Sequence, residues 1–411
     1  MPPQVAGMVS VLSSVARHDS WRLRECINIQ CSENVTSESV RKILSSDMGH
    51  RYTLPINQEV HGSFVGNAYR GTHYMDEVEK EGEELACEIF GARFASLKPL
   101  SGHIAAMTML TATCRRGDRI LVIDGKHGGY DGYLKEGMPA MFGLKVDHIP
   151  FDVRKWNVDS EKAAKKIAEC KPKLVVLGAS FILYPYNIRP IMESARDVGA
   201  LIGYDGSHVL GLIAGGVFQK PLREGADILL GSTHKSFFGP QGGVILCMDK
   251  EVFKGIGQAF YWRVMDNAHW NRIAALTRAL MEAKRFGGSY ARQVVRNSKA
   301  LAEGLNGLGL PIKFSRLGYT ECHQIHIDER ELKEKWGLTF NQFADKLERC
   351  NIIADAVGRI GTNELTRLGA KEGEMRKVAG LMADCLKGDD VSTRVWALRS
   401  GLGIRYCFER P

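Results

Sequence analysis

Between about residue 80 and residue 250 the chain alternates short branched apolar runs with longer stretches of helical periodicity. No other feature restricts the fold as much. The runs Arg119–Asp124, Lys173–Ser180, Leu201–Asp205, Ile228–Gly231 and Gly243–Met248 have the length and composition of buried strands. Between them lie helix-compatible stretches, Gly102–Thr113, Ser160–Cys170 and Pro190–Val198. Such alternation predicts an α/β domain built on a mostly parallel sheet. After Trp270 the pattern becomes one long helical region, followed by strands near Pro311–Phe314 and Gln324–Ile327 and helices at Thr339–Cys350 and Lys371–Cys385. The expected organisation is an N-terminal arm over residues 1–45, with Ser37 capping a helix near Val40–Leu44. A large domain over 46–289 and a smaller α+β C-terminal domain over 290–411 follow.

A chain of 411 residues, 44% hydrophobic and 25% charged, can bury a large core. Its net charge of +8 is dispersed: basic residues mix with acids, as over Asp76–Glu84 and Glu329–Lys335, and no long Lys/Arg run occurs. An anionic small ligand accounts for the excess, and no nucleic-acid partner is expected. Met8–Val15 is a short apolar stretch broken by serines, and no run is long enough to span a membrane. A cytoplasmic protein is the expectation. The ten cysteines form no Cys-x-x-Cys pair, and Cys322, His323 and His326 are read as packing residues, so no metal is expected.

In a parallel α/β sheet, ligands gather beyond the carboxyl ends of the strands. Lys235 falls there, on the glycine-rich turn Gly231-Ser232-Thr233-His234-Lys235-Ser236 that leads to Gly239-Pro240-Gln241-Gly242-Gly243. An inward-facing, desolvated lysine amine suits Schiff-base chemistry, whereas an outward one is an ordinary surface cation. Asp205 ends another strand, where a carboxylate can keep a pyridine nitrogen protonated or simply cap a helix. His208 either touches a ligand or packs. Ser101 and Gly102 open a helix, a seat for phosphate or a plain N-cap.

Together these segments resemble the serine hydroxymethyltransferase family of the fold type I, aspartate aminotransferase-like, pyridoxal-phosphate enzymes. The resemblance runs from about residue 30 to 370. It is carried by Ser32-Glu33-Asn34, Tyr69 before Gly71, Asp76-Glu77-Val78-Glu79, Ser101-Gly102, Asp205 with His208, Ser232-Thr233-His234-Lys235, and Arg359-Ile360-Gly361-Thr362 with Leu365-Thr366. It implies that Lys235 carries pyridoxal 5'-phosphate, with His234 beside it, and that Asp205 pairs with the pyridine nitrogen. It also implies that Ser101 and Gly102 hold the phosphate and that Ser180 touches the ring hydroxyl. Arg359 would clamp the substrate carboxylate. Ser32, Tyr52 and Tyr69 would line the site, the tyrosines reaching across a homodimer interface. Read singly, Ser180 is a strand-end hydrogen bond, Arg359 a surface ion pair and each tyrosine a packing residue.

Three departures from the family pattern stand out. The family's His-Gly-Gly-His reads His127-Gly128-Gly129-Tyr130, so Tyr130 takes the stacking position, while His127 is either a cofactor-binding neighbour or an ordinary loop histidine. Its Glu two residues past the tyrosine equivalent to Tyr52 is Leu54, and its Pro-Gly-x-x-Gly-Gly loop is replaced by Gly255–Trp262. The aldehyde-handling acid is thus missing while the cofactor residues remain. The implied activity is making or breaking the Cα–Cβ bond of a β-hydroxy amino acid, of the serine/glycine type, with tetrahydrofolate as a possible second substrate. A folate-independent threonine aldolase or transaldolase is the alternative. A silent paralogue serving as an interaction protein sits poorly with the joint presence of Lys235, Asp205 and Arg359.

Overall fold

The computed structural model describes residues 3–409. A seven-stranded sheet carries the architecture. Its strands are β1 (Phe94–Ser96), β2 (Arg119–Val122), β3 (Lys145–His148), β4 (Leu174–Leu177), β5 (Leu201–Asp205), β6 (Ile228–Ser232) and β7 (Gly243–Cys247). They lie in the order β1-β7-β6-β5-β4-β2-β3. The run from β6 to β3 is parallel, and β7 alone is antiparallel to both its neighbours. The sheet is thus mostly parallel, as the alternating pattern predicts.

Every residue of β4, β6 and β7 is buried, because both faces of these strands are covered. That is why their sequences read as unbroken apolar runs rather than alternating ones. Ala105, Met109, Ile120, Val176, Leu230 and Ile245 join one core cluster, in which helix Gly102–Thr113 packs against the sheet. Each of the larger of these side chains contributes roughly 1.5–3 kcal/mol on burial. The helices Ser160–Cys170, Arg189–Asp197, Trp270–Gly307, Phe340–Arg349 and Glu372–Lys387 stand where periodicity places them. The strand expected at Pro311–Phe314 reduces to a single bridge between Ile312 and Ile327. Among the described residues no helix is long and apolar enough to cross a membrane.

The chain divides into two compact units. Of the described residues, the larger takes 34–292 and 406–409; the smaller takes 3–33 and 293–405. The arm expected over residues 1–45 is therefore split between them. Its helix Glu38–Leu44, capped by Ser37, belongs to the larger unit. Ile27–Asn28 instead pairs in parallel with Ile352–Ile353 inside the smaller one. The C-terminal segment returns to the larger unit and is clasped there. Tyr406 packs edge-on to Tyr290 at 5.6 Å, Arg278 covers the Phe408 ring at 4.5 Å, and Glu409 Oε1 accepts from the Ser39 amide at 2.7 Å.

Candidate active site

Asp205 is the last residue of β5, and its register partner on β6 is Leu230. The two strands therefore end side by side. Beyond β6 the chain turns back into antiparallel β7 through the loop 233–242. That loop is pinned by Thr233 N to Gly242 O at 3.0 Å, Gly239 N to Thr233 O at 2.8 Å and Thr233 Oγ1 to Pro240 O at 2.6 Å. Lys235 rides on this loop. Its Nζ lies 3.3 Å from His208 Nε2. Gly102, His103, Tyr130, Ser180, Asp205, Ser207, His208, Ser232 and Lys235 line one cleft.

The Asp205 carboxylate is held at both oxygens. Oδ1 accepts from the Ser207 amide at 3.0 Å, and Oδ2 accepts from the Tyr133 hydroxyl at 3.0 Å. The Tyr130 hydroxyl meets His103 Nδ1 at 2.9 Å, which fixes the ring at the cleft wall. Ser101 is the N-cap of helix Gly102–Thr113, accepting from Ile104 N at 3.1 Å, so its hydroxyl is engaged in capping. Gly102, the first residue of that helix, admits no side chain: a Cβ would stand 2.4 Å from Ser232 Oγ. The helix start can therefore approach β6 closely, leaving a niche of main chain and hydroxyls. A positive helix terminus, a primary amine, an aromatic wall and an anchored carboxylate in one cleft fit pyridoxal phosphate, which needs a seat for each of its polar ends.

Other expected residues lie apart from this cleft. His127 stacks on Phe151 with centroids 4.7 Å apart and planes within 8°. Burial holds its pKa below the usual histidine range. His234 is turned into the protein, its Nδ1 buried without a partner. Burial, then the neighbouring Lys235 charge, pushes it down to about 4, so it is neutral at physiological pH. Tyr52 and Tyr69 stack on each other at 5.5 Å and remain 50% and 43% exposed. In the larger unit they do not line the Lys235 cleft.

Within the smaller unit the structure brings Ser32 and Arg359 into one neighbourhood. Gly361 N donates to Ile29 O at 2.7 Å, and a Cβ on Gly361 would stand 2.4 Å from Cys31 Cα, so the strand Arg359–Gly361 abuts the Ser32 segment. Arg359 Nε pairs with Asp355 Oδ2 at 2.9 Å, and both side chains are nearly buried. Sequence reasoning missed Tyr133, Ser207 and His103. Ser207 lies inside the Asp205-to-His208 motif and could have been found there. Tyr133 carries no local signal, because its role depends on meeting a residue far along the chain.

A seven-stranded, mostly parallel sheet with a lysine on the loop after β6 and a carboxylate at the end of β5 defines the fold type I pyridoxal-phosphate transferases. The chain belongs to the serine hydroxymethyltransferase family, whose profile it matches over residues 8–382. It is 41% identical over 394 residues to the serine hydroxymethyltransferase of Methanopyrus kandleri, covering 92% of this chain and 89% of that one. To the Methanothermobacter marburgensis enzyme of the same name it is 39% identical over 409 residues, covering 95% and 93%. Its fold also matches the crystal structure of L-threonine transaldolase from Pseudomonas fluorescens. The TM-score there is 0.88 at 26% identity, over 98% of this chain and 94% of that one.

Proposed function

We propose that the protein makes and breaks the Cα–Cβ bond of a small β-hydroxy amino acid, interconverting serine and glycine. The observation that carries this is the meeting of Lys235, His208 and the doubly anchored Asp205 in one cleft of a chain from this family. Bound pyridoxal phosphate supplies the electron sink for the negative charge that develops at Cα. Lys235 Nζ would be the amine that holds the cofactor, with His208 Nε2 near enough at 3.3 Å to exchange a proton with that nitrogen. The anchored Asp205 carboxylate would keep the proton on the pyridine nitrogen. Tyr130 would offer its ring to the cofactor's, and the helix start at Gly102 would receive the phosphate.

Arg359 takes the substrate carboxylate on its guanidinium edge, oriented through Nε by Asp355, with Ser32 alongside. Tyr52 and Tyr69, stacked and half exposed, would complete the cleft of a second copy in a homodimer. The ten cysteines form no disulfide among the described residues, which suits a reducing compartment and hence the cytoplasm.

Leu54 favours a second reading, a folate-independent threonine aldolase or transaldolase, since no carboxylate occupies the position of the family's Glu. The likeness to the Pseudomonas transaldolase supports the same reading. The visible spectrum of the cofactor-loaded protein with glycine, with and without tetrahydrofolate, separates the two. A glycine-induced long-wavelength band that grows sharply with folate supports the hydroxymethyltransferase. A band indifferent to folate supports the aldolase or transaldolase, and then threonine cleavage is the activity to assay.

A further inference from the structure

We infer that Tyr133 is a positioning residue for Asp205, setting how tightly that carboxylate holds the proton on the nitrogen of the bound cofactor. The inference rests on the pyridoxal-phosphate reading of the Lys235 cleft. Tyr133 is 1% exposed, and its hydroxyl donates to Asp205 Oδ2 at 3.0 Å. Two features make this more than incidental packing.

The first is the turn that delivers the hydroxyl. Tyr133 ends the short 3-10 turn Asp131–Tyr133, directly after Tyr130. A Cβ on Gly132 would stand 2.5 Å from the Tyr130 ring, so the turn takes this shape only with glycine there. Tyr130 and Tyr133 then meet edge to face at 5.7 Å. One ring walls the cleft while the other reaches under it to the carboxylate. The stacking group and the aspartate are thus mechanically joined.

The second is the confinement of Asp205. A Cβ on Gly178, at the end of the adjacent strand, would stand 2.7 Å from Asp205 Cβ. Close packing holds the aspartate from the main-chain side, and the Ser207 amide holds Oδ1. The Tyr133 hydroxyl holds the other oxygen, Oδ2. Burial, and then the charge on Asp205, raise the phenol's pKa far above its usual value, so it stays a neutral donor over the working range. A neutral donor on Oδ2 draws charge from the carboxylate without neutralising it. The other titratable side chains lining the cleft are His103, Tyr130, His208 and Lys235, and none of them is a carboxylic acid.

The test uses the holoenzyme and reads the cofactor spectroscopically. Tyr133→Phe removes the hydroxyl and keeps the ring, concentrating charge on Asp205. The pH midpoint of the cofactor's visible absorption change should fall by about one unit. Incorporating 3-fluorotyrosine at position 133, a stronger donor of nearly equal size, should move the midpoint the opposite way, and this arm does not depend on the phenylalanine variant folding. In an Asp205→Asn background neither change should move the midpoint further. A folded Tyr133→Phe holoenzyme, or a fluorotyrosine one, with the wild-type midpoint overturns the inference. If the wild-type protein instead binds no pyridoxal phosphate, or retains its visible absorbance in Lys235→Ala, the reading of the cleft itself has failed, which is a distinct result.

Discussion

The side-chain amide of Asn34 donates to the main-chain carbonyl of Lys235 at 2.8 Å, joining residues 201 positions apart. The same nitrogen meets the Tyr290 hydroxyl at 3.0 Å, and that hydroxyl donates to Ser236 O at 3.0 Å. The lysine loop is thereby braced from behind by two buried or half-buried side chains. Asn34→Ala removes the brace without touching the cleft lining. Each net hydrogen bond is worth about 0.5–1.5 kcal/mol, so a loss of roughly tenfold in cofactor affinity is expected. Titrating the apoprotein with pyridoxal phosphate and following visible absorbance measures it; an unchanged dissociation constant would show that the brace is dispensable.

Gly102 makes a sharper prediction, because the obstruction is steric. In Gly102→Ala the new methyl meets Ser232 Oγ at 2.4 Å and Ser232 N at 3.2 Å. Overpacking of this kind costs about 1–3 kcal/mol. A lower melting temperature and weaker cofactor binding should appear together. Adding Ser232→Ala relieves the closer contact and should recover part of both; no recovery would locate the damage elsewhere.

Leu54 decides between the two readings of the reaction. Its amide is engaged by Asn67 Oδ1 at 3.1 Å, so the main chain at this position is anchored whatever the side chain. Leu54→Glu restores the family's acid on that anchored frame. A positioned general acid or base contributes about 10²–10⁴ in rate. Folate-dependent serine cleavage should therefore rise at least about tenfold relative to threonine cleavage. Equal kcat/KM ratios in the two proteins would mean that some other group already performs the proton transfer.

In the smaller unit, burial pushes Glu364 up to about 7, against a lowering by its hydrogen bond from Asn28 and with Glu33 raising it further. A raised carboxyl pKa means that the folded state takes up a proton which the unfolded chain releases. The stabilising contribution is complete below the unfolded value near 4.5 and is lost as pH climbs through about 7. Glu364→Gln should stabilise the protein at about pH 8, by on the order of 2–3 kcal/mol, and should flatten the slope of stability between about pH 5 and 7. Denaturant titrations of both proteins across this range are the check. Parallel slopes in the two would rule Glu364 out as their source.

The parts of this molecule that were legible in its sequence are those whose cause is local. Leu174–Leu177 and Ile228–Ser232 announce themselves because strands covered on both faces must be apolar throughout. Lys235, Asp205 and His208 are legible because strand ends are where such a sheet presents chemistry. Lys145–His148 is not: it is an edge strand whose Lys145 and His148 are exposed, and its sequence has no apolar rhythm. The two-residue pairing of Ile27–Asn28 with Ile352–Ile353 escapes any periodicity argument, since its cause lies hundreds of residues away. His127 shows where sequence leaves two readings open. A ring beside the glycine pair invites a cofactor role, yet it packs on Phe151, a contact that no spacing reveals.

The clasp of Tyr406, Phe408 and Glu409 onto Tyr290, Arg278 and Ser39 has a consequence during biosynthesis. The unit bearing Lys235 is discontinuous: after Arg292 the ribosome makes the whole of Gln293–Arg405, which belongs to the other unit, before the closing segment emerges. At about 5–20 residues per second, that leaves an interval on the order of ten seconds. Throughout it, the nascent lysine-bearing unit has Phe238 against Tyr290 but lacks the second ring, Tyr406, on the residue that steadies Ser236. Cofactor capture by nascent chains should consequently lag behind formation of the sheet, and chains stalled before Tyr406 should be the ones that chaperones and proteases find.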